Sequence, residues 1–312
     1  MEQETNKEGG VFCNLLPHKP STPHHLLFSF STLCSLFVAF CLCFAQNTFG
    51  QDIDVLNHPV NLSGLTGLLY TTEPYTLNTG TIEVGASVVT EYSNVPEYTI
   101  NNYPVSVSVG LPHNAELALR SSYYEIKEGA TFTTPVQRKT DDLQLLYKWN
   151  FIPPMEDSIR PAFALIIGGS VPTENNNEIN ISSVKHWAMQ IGLSGGTEIT
   201  WREHIIGIYA DAQAIGQDLT QRGLSDFYGI YNAGLLSPIS KYQNLQMFAE
   251  YSLVAGKKQL TLAGGDYSAL TYGLRLVSDR FNLTIGTQFL HKVHNEGFGN
   301  ADRFMAMLSV KL

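Results

Sequence analysis

Eight ionisable side chains and one amide occupy the polar positions of a recurring pattern in which polar and apolar residues alternate. The set is Glu83, Glu116, Arg120, Lys148, Gln190, Asp211, Glu250, Arg275 and Lys311. Successive side chains of a β-strand point to opposite faces, so these residues project away from the apolar face. If the apolar face meets lipid, they line the lumen of a barrel, where charged and amide groups select solutes by charge and hydrogen bonding.

The same residues allow a second interpretation, in which they form ion pairs that fill the lumen and brace the wall. Eight strands leave an interior just filled by side chains, whereas sixteen or more leave an open channel. The distance to the nearest predicted turn puts Arg120, Gln190, Asp211 and Glu250 near mid-height and the other five near one mouth. Both interpretations stay open.

Residues that could support hydrolysis are sparse. A serine nucleophile needs an activating histidine, itself oriented by a third polar group. Ser268, His291 and His294 are predicted near one another at strand ends, but the chain has no G-x-S-x-G motif. A lipid hydrolase embedded in the membrane is therefore the weakest alternative. The segment 173–183, TENNNEINISS, lacks the spacing of a calcium loop, so we expect neither metal nor cofactor.

The composition excludes several classes of protein. Charged residues make up 15% of the chain and apolar residues 44%, and the charged share is well below the roughly 25% of soluble domains. The formal net charge is −9 without a basic cluster, so nucleic acid is not an expected partner. All four cysteines lie at or before Cys43.

Alternation with a period of two recurs from residue 81 to the end, which is the pattern of half-buried strands. Twelve such runs are predicted, each near the roughly ten residues that a tilted strand needs to cross a bilayer. They are 81–92, 98–110, 115–127, 142–152, 161–172, 184–195, 204–215, 226–237, 244–255, 266–278, 281–292 and 302–312.

The connections alternate between tight turns and longer polar loops, as in transmembrane barrels. We therefore predict an all-β fold, a 12-stranded antiparallel transmembrane β-barrel. In hydrocarbon every backbone amide needs a partner within the protein, so the last strand, Phe304 to Leu312, must pair with the first, Thr81 to Tyr92. The alternative is a soluble β-sandwich, which would carry more charge on its wet faces.

An uncharged apolar stretch over 26–45 indicates an export signal. Small residues suit cleavage near Ala45 or Gly50, although the stretch is also long enough for an uncleaved anchor. The predicted organisation is a leader and signal peptide over 1–50, a periplasmic segment or plug over 51–80, and the barrel over 81–312.

Four stretches resemble the meta-pathway phenol-degradation family of outer-membrane transporters. They are TTEPYTLNTGTIEVGASV (71–88), VGLPHNAELALRSSY (109–123), DDLQLLYKWNF (141–151) and PAFALIIGGSVPT (161–173). The family's motifs fall on Glu73 to Gly80, Gly110 to Leu117, and Val171 to Thr173.

The resemblance implies a bacterial outer-membrane barrel that passively takes up small aromatic or hydrophobic solutes and is not an enzyme. The expected partners are membrane lipid, the solute, and the assembly machinery through Phe304–Leu312. The final Leu312 departs from the Phe or Trp usual at that position. A structural barrel with an occluded lumen is the main alternative function.

Overall fold

The computed structural model describes residue 56 and residues 58–94, 97–128, 137–140, 142–154, 160–173, 187–201, 204–219, 224–239, 244–257, 265–292 and 300–312. The predicted signal peptide and leader, 1–50, lie outside the described residues. Within the described ranges, no helix is long and apolar enough to cross a membrane.

The strands follow one another as an antiparallel meander. They are β1 (Ile82–Asn94), β2 (Glu97–Leu111), β3 (Ala115–Glu128), β4 (Gln137–Thr140), β5 (Leu143–Ile152), β6 (Ala162–Val171), β7 (Trp187–Trp201), β8 (His204–Leu219), β9 (Leu224–Pro238), β10 (Leu245–Ala255), β11 (Tyr267–Val277), β12 (Phe281–Lys292) and β13 (Ala301–Lys311). The short β4 and the longer β5 both pair with β3, so together they fill one position in the ring.

The sheet closes on itself, which confirms the predicted 12-stranded antiparallel barrel. The first strand pairs with the last, with Val84 opposite Val310 and Ala86 opposite Leu308. The backbone N–H of Leu312 donates to the carbonyl of Ile82 at 2.8 Å. The backbone groups along the seam between β1 and β13 are thus paired within the protein.

The predicted strand positions are correct, but several predicted ends are wrong. Residues 195–201 continue β7, and Trp201 pairs directly with His204, where a longer turn was predicted. Strand β8 continues to Leu219 and β9 begins at Leu224, inside a predicted polar loop. Polar residues and glycines can extend a hairpin beyond the apolar alternation because ladder hydrogen bonds involve only the backbone.

The apolar residues face outward and the polar residues face inward. Ile191 and Leu274 are 56% and 49% exposed, whereas their neighbours Gln190 and Arg275 are 9% and 0% exposed. A soluble sandwich would reverse this relation, because it buries its apolar face. The exterior is therefore the surface of a protein embedded in lipid.

Aromatic residues occupy the rims of this outer surface, as expected at membrane interfaces. Trp149 and Phe151 are exposed near the short turns, and Trp187 near the long loops. Tyr98, also near the long loops, does not belong to this rim. Its side chain is buried, and its hydroxyl donates to Glu91 at 2.7 Å.

Candidate functional site in the barrel interior

Residues 58–80, here called the inner segment, lie inside the barrel ahead of β1. Wall side chains reach the segment from six strands. These side chains are Glu83 on β1, Glu116 on β3, Lys148 on β5, Asp211 on β8, Glu250 on β10 and Arg275 on β11. A segment contacted from strands all around a closed ring must lie within that ring.

Local hydrogen bonds fold the inner segment into a compact double turn. Residue pairs Val60 with Thr66 and Gly67 with Thr72 form isolated β-bridges. The Asn61 side chain accepts from the backbone N–H of Ser63 at 2.8 Å, as asparagine commonly does in turns. Gly67 is required because a Cβ there would lie 2.2 Å from the Thr71 carbonyl oxygen. The turns of the inner segment are therefore maintained by residues of the segment itself.

Glu116 and Lys148 together hold the middle of the inner segment. Glu116 accepts from the backbone N–H of Thr66 at 2.8 Å and from that of Leu77 at 3.3 Å. Lys148 Nζ lies 3.3 Å from Glu116 Oε2 and donates to the Glu73 carbonyl at 3.2 Å. Both charged side chains are fully buried. Each charge therefore has an opposite charge and further hydrogen bonds, as buried ions need.

Glu250 binds the tip of the inner segment, residues 68–72, through three successive backbone N–H groups. Its Oε1 accepts from the N–H groups of Tyr70 at 3.0 Å and Thr71 at 2.6 Å. Its Oε2 accepts from the N–H of Leu69 at 3.2 Å. The next N–H, from Thr72, donates to Asp211 at 2.8 Å. Two wall carboxylates thus accept hydrogen bonds from four successive backbone N–H groups.

Apolar contacts complete the packing of the tip. Leu68 and Leu69 lie against Gly234 and Gly286, at places where a wall Cβ would come within 2.4 and 2.6 Å of the leucine side chains. The apolar cluster around them also includes Phe248, Met305 and Met307 from the wall. The wall glycines make room for the leucines, so wall and segment are complementary in shape.

At the base of the segment, Glu83 accepts from the backbone N–H of Val60 at 3.3 Å and from Asn282 at 3.3 Å. Arg275 donates to the Gly67 carbonyl at 2.7 Å. Lys311 is partly buried and lines a cavity of about 640 Å³ beside His58, Asn78 and Arg280. This cavity lies where the chain leaves the inner segment for β1.

In the described part of the chain, no hydrogen bond joins Arg120 or Gln190 to the inner segment, and both belong to a row of polar side chains along the wall. Arg120 donates to Gln144 at 3.3 Å, Gln144 to Gln190 at 3.1 Å, and Gln190 to Gln213 at 3.3 Å. Gln213 then donates to Asp211 at 2.8 Å. Gly168 is the register partner of Gln190 on the intervening β6. The predicted residues thus fall into an anchoring group and a wall network.

Three interior wall charges and one histidine were not predicted from the sequence: Glu91, Arg303, Glu198, which lies beyond the predicted strand end at 195, and His58. Arg303 donates to Glu91 at 2.8 Å and to Gln288 at 3.0 Å. Glu91 shares the parity of Glu83, and Arg303 that of Lys311, so the alternation contained the signal for both. His58 had no such signal, because it precedes the alternating region.

His58 joins the inner segment to the wall. Its Nδ1 lies 2.5 Å from Glu73 Oε2, and its Nε2 lies 3.1 Å from Glu198 Oε1 on β7. The Tyr75 ring stacks on the imidazole with centroids 4.1 Å apart. Burial by itself lowers the pKa of His58, but the two carboxylates outweigh burial and raise this pKa to about 9. The imidazolium is therefore the dominant form at neutral pH.

The residues considered for hydrolysis are neighbours, without the required hydrogen bond. Ser268 and His291 are register partners on β11 and β12. His291 Nδ1 lies 3.2 Å from Asn300 Oδ1, but no hydrogen bond joins the two described side chains of Ser268 and His291. His294 lies outside the described residues. No group of three or more potential metal ligands occurs in the described part of the chain.

The sequence matches no protein-family model and no curated protein. The fold is similar to that of an outer membrane channel from Pseudomonas putida F1, with a TM-score of 0.56 and 10% identity over 76% of this chain and 97% of that chain. It is also similar to LpxR from Salmonella typhimurium, with a TM-score of 0.50 and 12% identity over 74% of this chain and 99% of that one.

These similarities establish the fold. The chain is a bacterial outer-membrane β-barrel. A closed antiparallel barrel with an apolar exterior is the architecture of proteins in that membrane, and the similar Pseudomonas putida F1 structure is an outer membrane channel.

Proposed function

We propose that the protein is an outer-membrane channel for passive movement of small solutes, and that the inner segment closes the channel at rest. One observation carries the proposal: the interior holds a folded segment of main chain in addition to the wall side chains. An interior filled by wall side chains alone has no such space. When the segment withdraws, that space admits a small solute.

The solute class follows from the resemblance to the meta-pathway phenol-degradation family, which implies small aromatic or hydrophobic molecules. The similar fold of the Pseudomonas putida F1 channel supports the channel function. The nine polar residues predicted for the lumen then act in two ways. Six of them hold the segment by hydrogen bonds, and Arg120, Gln190 and Lys311 remain on the wall to meet a passing solute.

The alternative function is a structural barrel whose lumen stays occluded. The buried ion pair of Lys148 with Glu116, and the backbone contacts of Glu250, favour a segment that never leaves. The two functions differ in one respect, which is whether the segment moves.

A reversible disulfide between segment and wall tests this difference. Leu68 Cδ1 lies 2.4 Å from the position of a Cβ on Gly234, so Leu68→Cys with Gly234→Cys places two thiols within reach of a bond. The chain has no cysteine after Cys43, so this pair is unique in the barrel. In planar bilayers we expect conductance steps from the reduced protein and none from the oxidised protein.

Each single-cysteine variant serves as a control and should conduct equally under both redox conditions. Steps that persist in the oxidised double variant would show that the segment is not the closing element. A complete absence of steps from the reduced double variant and from the wild type would support the occluded structural barrel instead.

The C-terminal strand is proposed as the contact for the assembly machinery. Leu312 is 76% exposed at the end of the closing seam. If the machinery reads this residue, Leu312→Phe should raise the folded fraction in cells, measured as the heat-shifted band on gels. An unchanged fraction would argue against that role.

A further inference from the structure

We infer that Glu250 and Asp211 form the solute-selecting site of the open barrel, and that this site takes solutes with ammonium or amide N–H donors. The inference rests on the proposed function, because the inner segment must withdraw before a solute can reach these carboxylates.

The tip of the inner segment occupies this site as a ligand would. The N–H groups of residues 69, 70 and 71 donate to Glu250, and that of Thr72 donates to Asp211. The contact uses backbone donors, so the wall recognises N–H groups and not one particular side chain. Any solute that presents similar donors meets the same acceptors.

Both carboxylates lack a cation of their own. Glu250 and Asp211 are 1% and 4% exposed, and neither forms an ion pair with a residue in the described ranges. In contrast, Glu116 and Glu91 are directly paired with Lys148 and Arg303. In the closed state, neither Glu250 nor Asp211 is therefore bound to a cation of the described wall.

Withdrawal of the tip removes four backbone N–H donors from the two carboxylates. Every hydrogen bond described for the Glu250 carboxylate comes from the inner segment. Asp211 keeps only the amides of Gln213 and Asn232. In the open lumen water reaches the two carboxylates, and the negative charge that they carry there favours a cationic solute whose N–H groups replace those of the tip. An anion would be repelled.

The wall between the two carboxylates has room for such a solute. Gly234 on β9 is the register partner of Glu250, and Asn232 on the same strand is the partner of Asp211. A Cβ on Gly234 would lie 3.5 Å from Glu250 Cγ and 2.4 Å from Leu68. The glycine therefore leaves a recess that the Leu68 side chain fills in the closed state and that an apolar group of a solute can fill in the open state.

Two probe ions, each with one aromatic ring but with opposite charges, test the site. Reversal potentials are measured in planar bilayers under gradients of benzylammonium chloride and, separately, of potassium benzoate. We expect the wild type to pass benzylammonium in preference to chloride and potassium in preference to benzoate. Glu250→Gln and Asp211→Asn keep an acceptor oxygen but remove the charge, and each should lower the benzylammonium preference roughly tenfold.

The matched control is Glu97→Gln, the same change at an exposed residue on β2, which should leave the reversal potentials unchanged. Benzoate that crosses the wild type as readily as benzylammonium would overturn the inference, and so would an unaltered preference in folded Glu250→Gln. Both outcomes can be observed only if the protein conducts. A protein without any conductance would instead overturn the proposed function.

Discussion

Lys148 and Glu116 form a fully buried ion pair, with 3.3 Å between Nζ and Oε2, and both side chains bind the inner segment. The pair lies between adjacent strands, where the two residues are register partners. It connects the stability of the wall to the position of the segment.

Lys148→Met is expected to destabilise the folded barrel by about 3–5 kcal/mol, because it leaves the Glu116 carboxylate buried without its cation. The free energy of unfolding is measured by urea titration in detergent micelles. The double variant Lys148→Met with Glu116→Gln should lose less than the single variant. Leu145→Met, on the lipid face of the same strand, is the control. Equal stability of wild type and Lys148→Met would contradict a direct role for the pair.

Gly110→Ala should displace the junction between the inner segment and β1. A Cβ at this position would lie 2.1 Å from the Asn78 carbonyl oxygen and 2.6 Å from that of Leu77. Backbone atoms cannot move aside as a flexible side chain can, so we expect faster proteolysis of the inner segment in the folded protein. Gly216→Ala is the control, because its nearest contact would be 3.9 Å from Phe227. Identical cleavage rates for both variants would argue against the steric constraint.

The attachment of the segment should depend on pH through His58. Its pKa is raised from 6.5 to about 9 by Glu73 and Glu198. A raised folded-state pKa means that the stabilisation is complete below pH 6.5 and is lost as the pH rises through about 9. Its size is on the order of 3 kcal/mol. Burial also raises the pKa of the stacked Tyr75, so this phenol stays neutral over the same range.

The opening frequency should therefore rise between pH 7 and pH 9.5 in bilayer recordings. His58→Gln cannot carry the charge, and we expect its opening frequency to be high and to lack this rise. A wild type whose openings do not respond to pH over this interval would exclude His58 as the controlling group.

Ser268→Ala should have no effect on lipid chemistry, because Ser268 donates no hydrogen bond to its neighbour His291. Release of fatty acid from phospholipid micelles is the measurement. We expect the wild type and the variant to match the protein-free background. Release by the wild type that disappears in Ser268→Ala would instead establish a hydrolase.

Much of the fold could be predicted because lipid outside and polar groups inside impose alternation on every strand. A shift of one residue would turn a strand's entire apolar set inward, so positions such as Leu274 and Arg275 define their faces unambiguously. Strand ends were less predictable. At 195–201 the hydrogen-bonded ladder continues after the apolar alternation has ended.

The sequence by itself determined the number of strands, their faces and most of the interior charges, since each depends on a short-range period. It also determined the pairing of the last strand with the first, because a sheet in hydrocarbon must close. Only the tertiary structure decided where residues 58–80 lie. Their partners are distant in sequence, as in the contact of Arg275 with Gly67 across 208 positions. The wall binds them mainly through backbone N–H and C=O groups, which every residue except proline carries alike, so no pattern of side chains could reveal the contact.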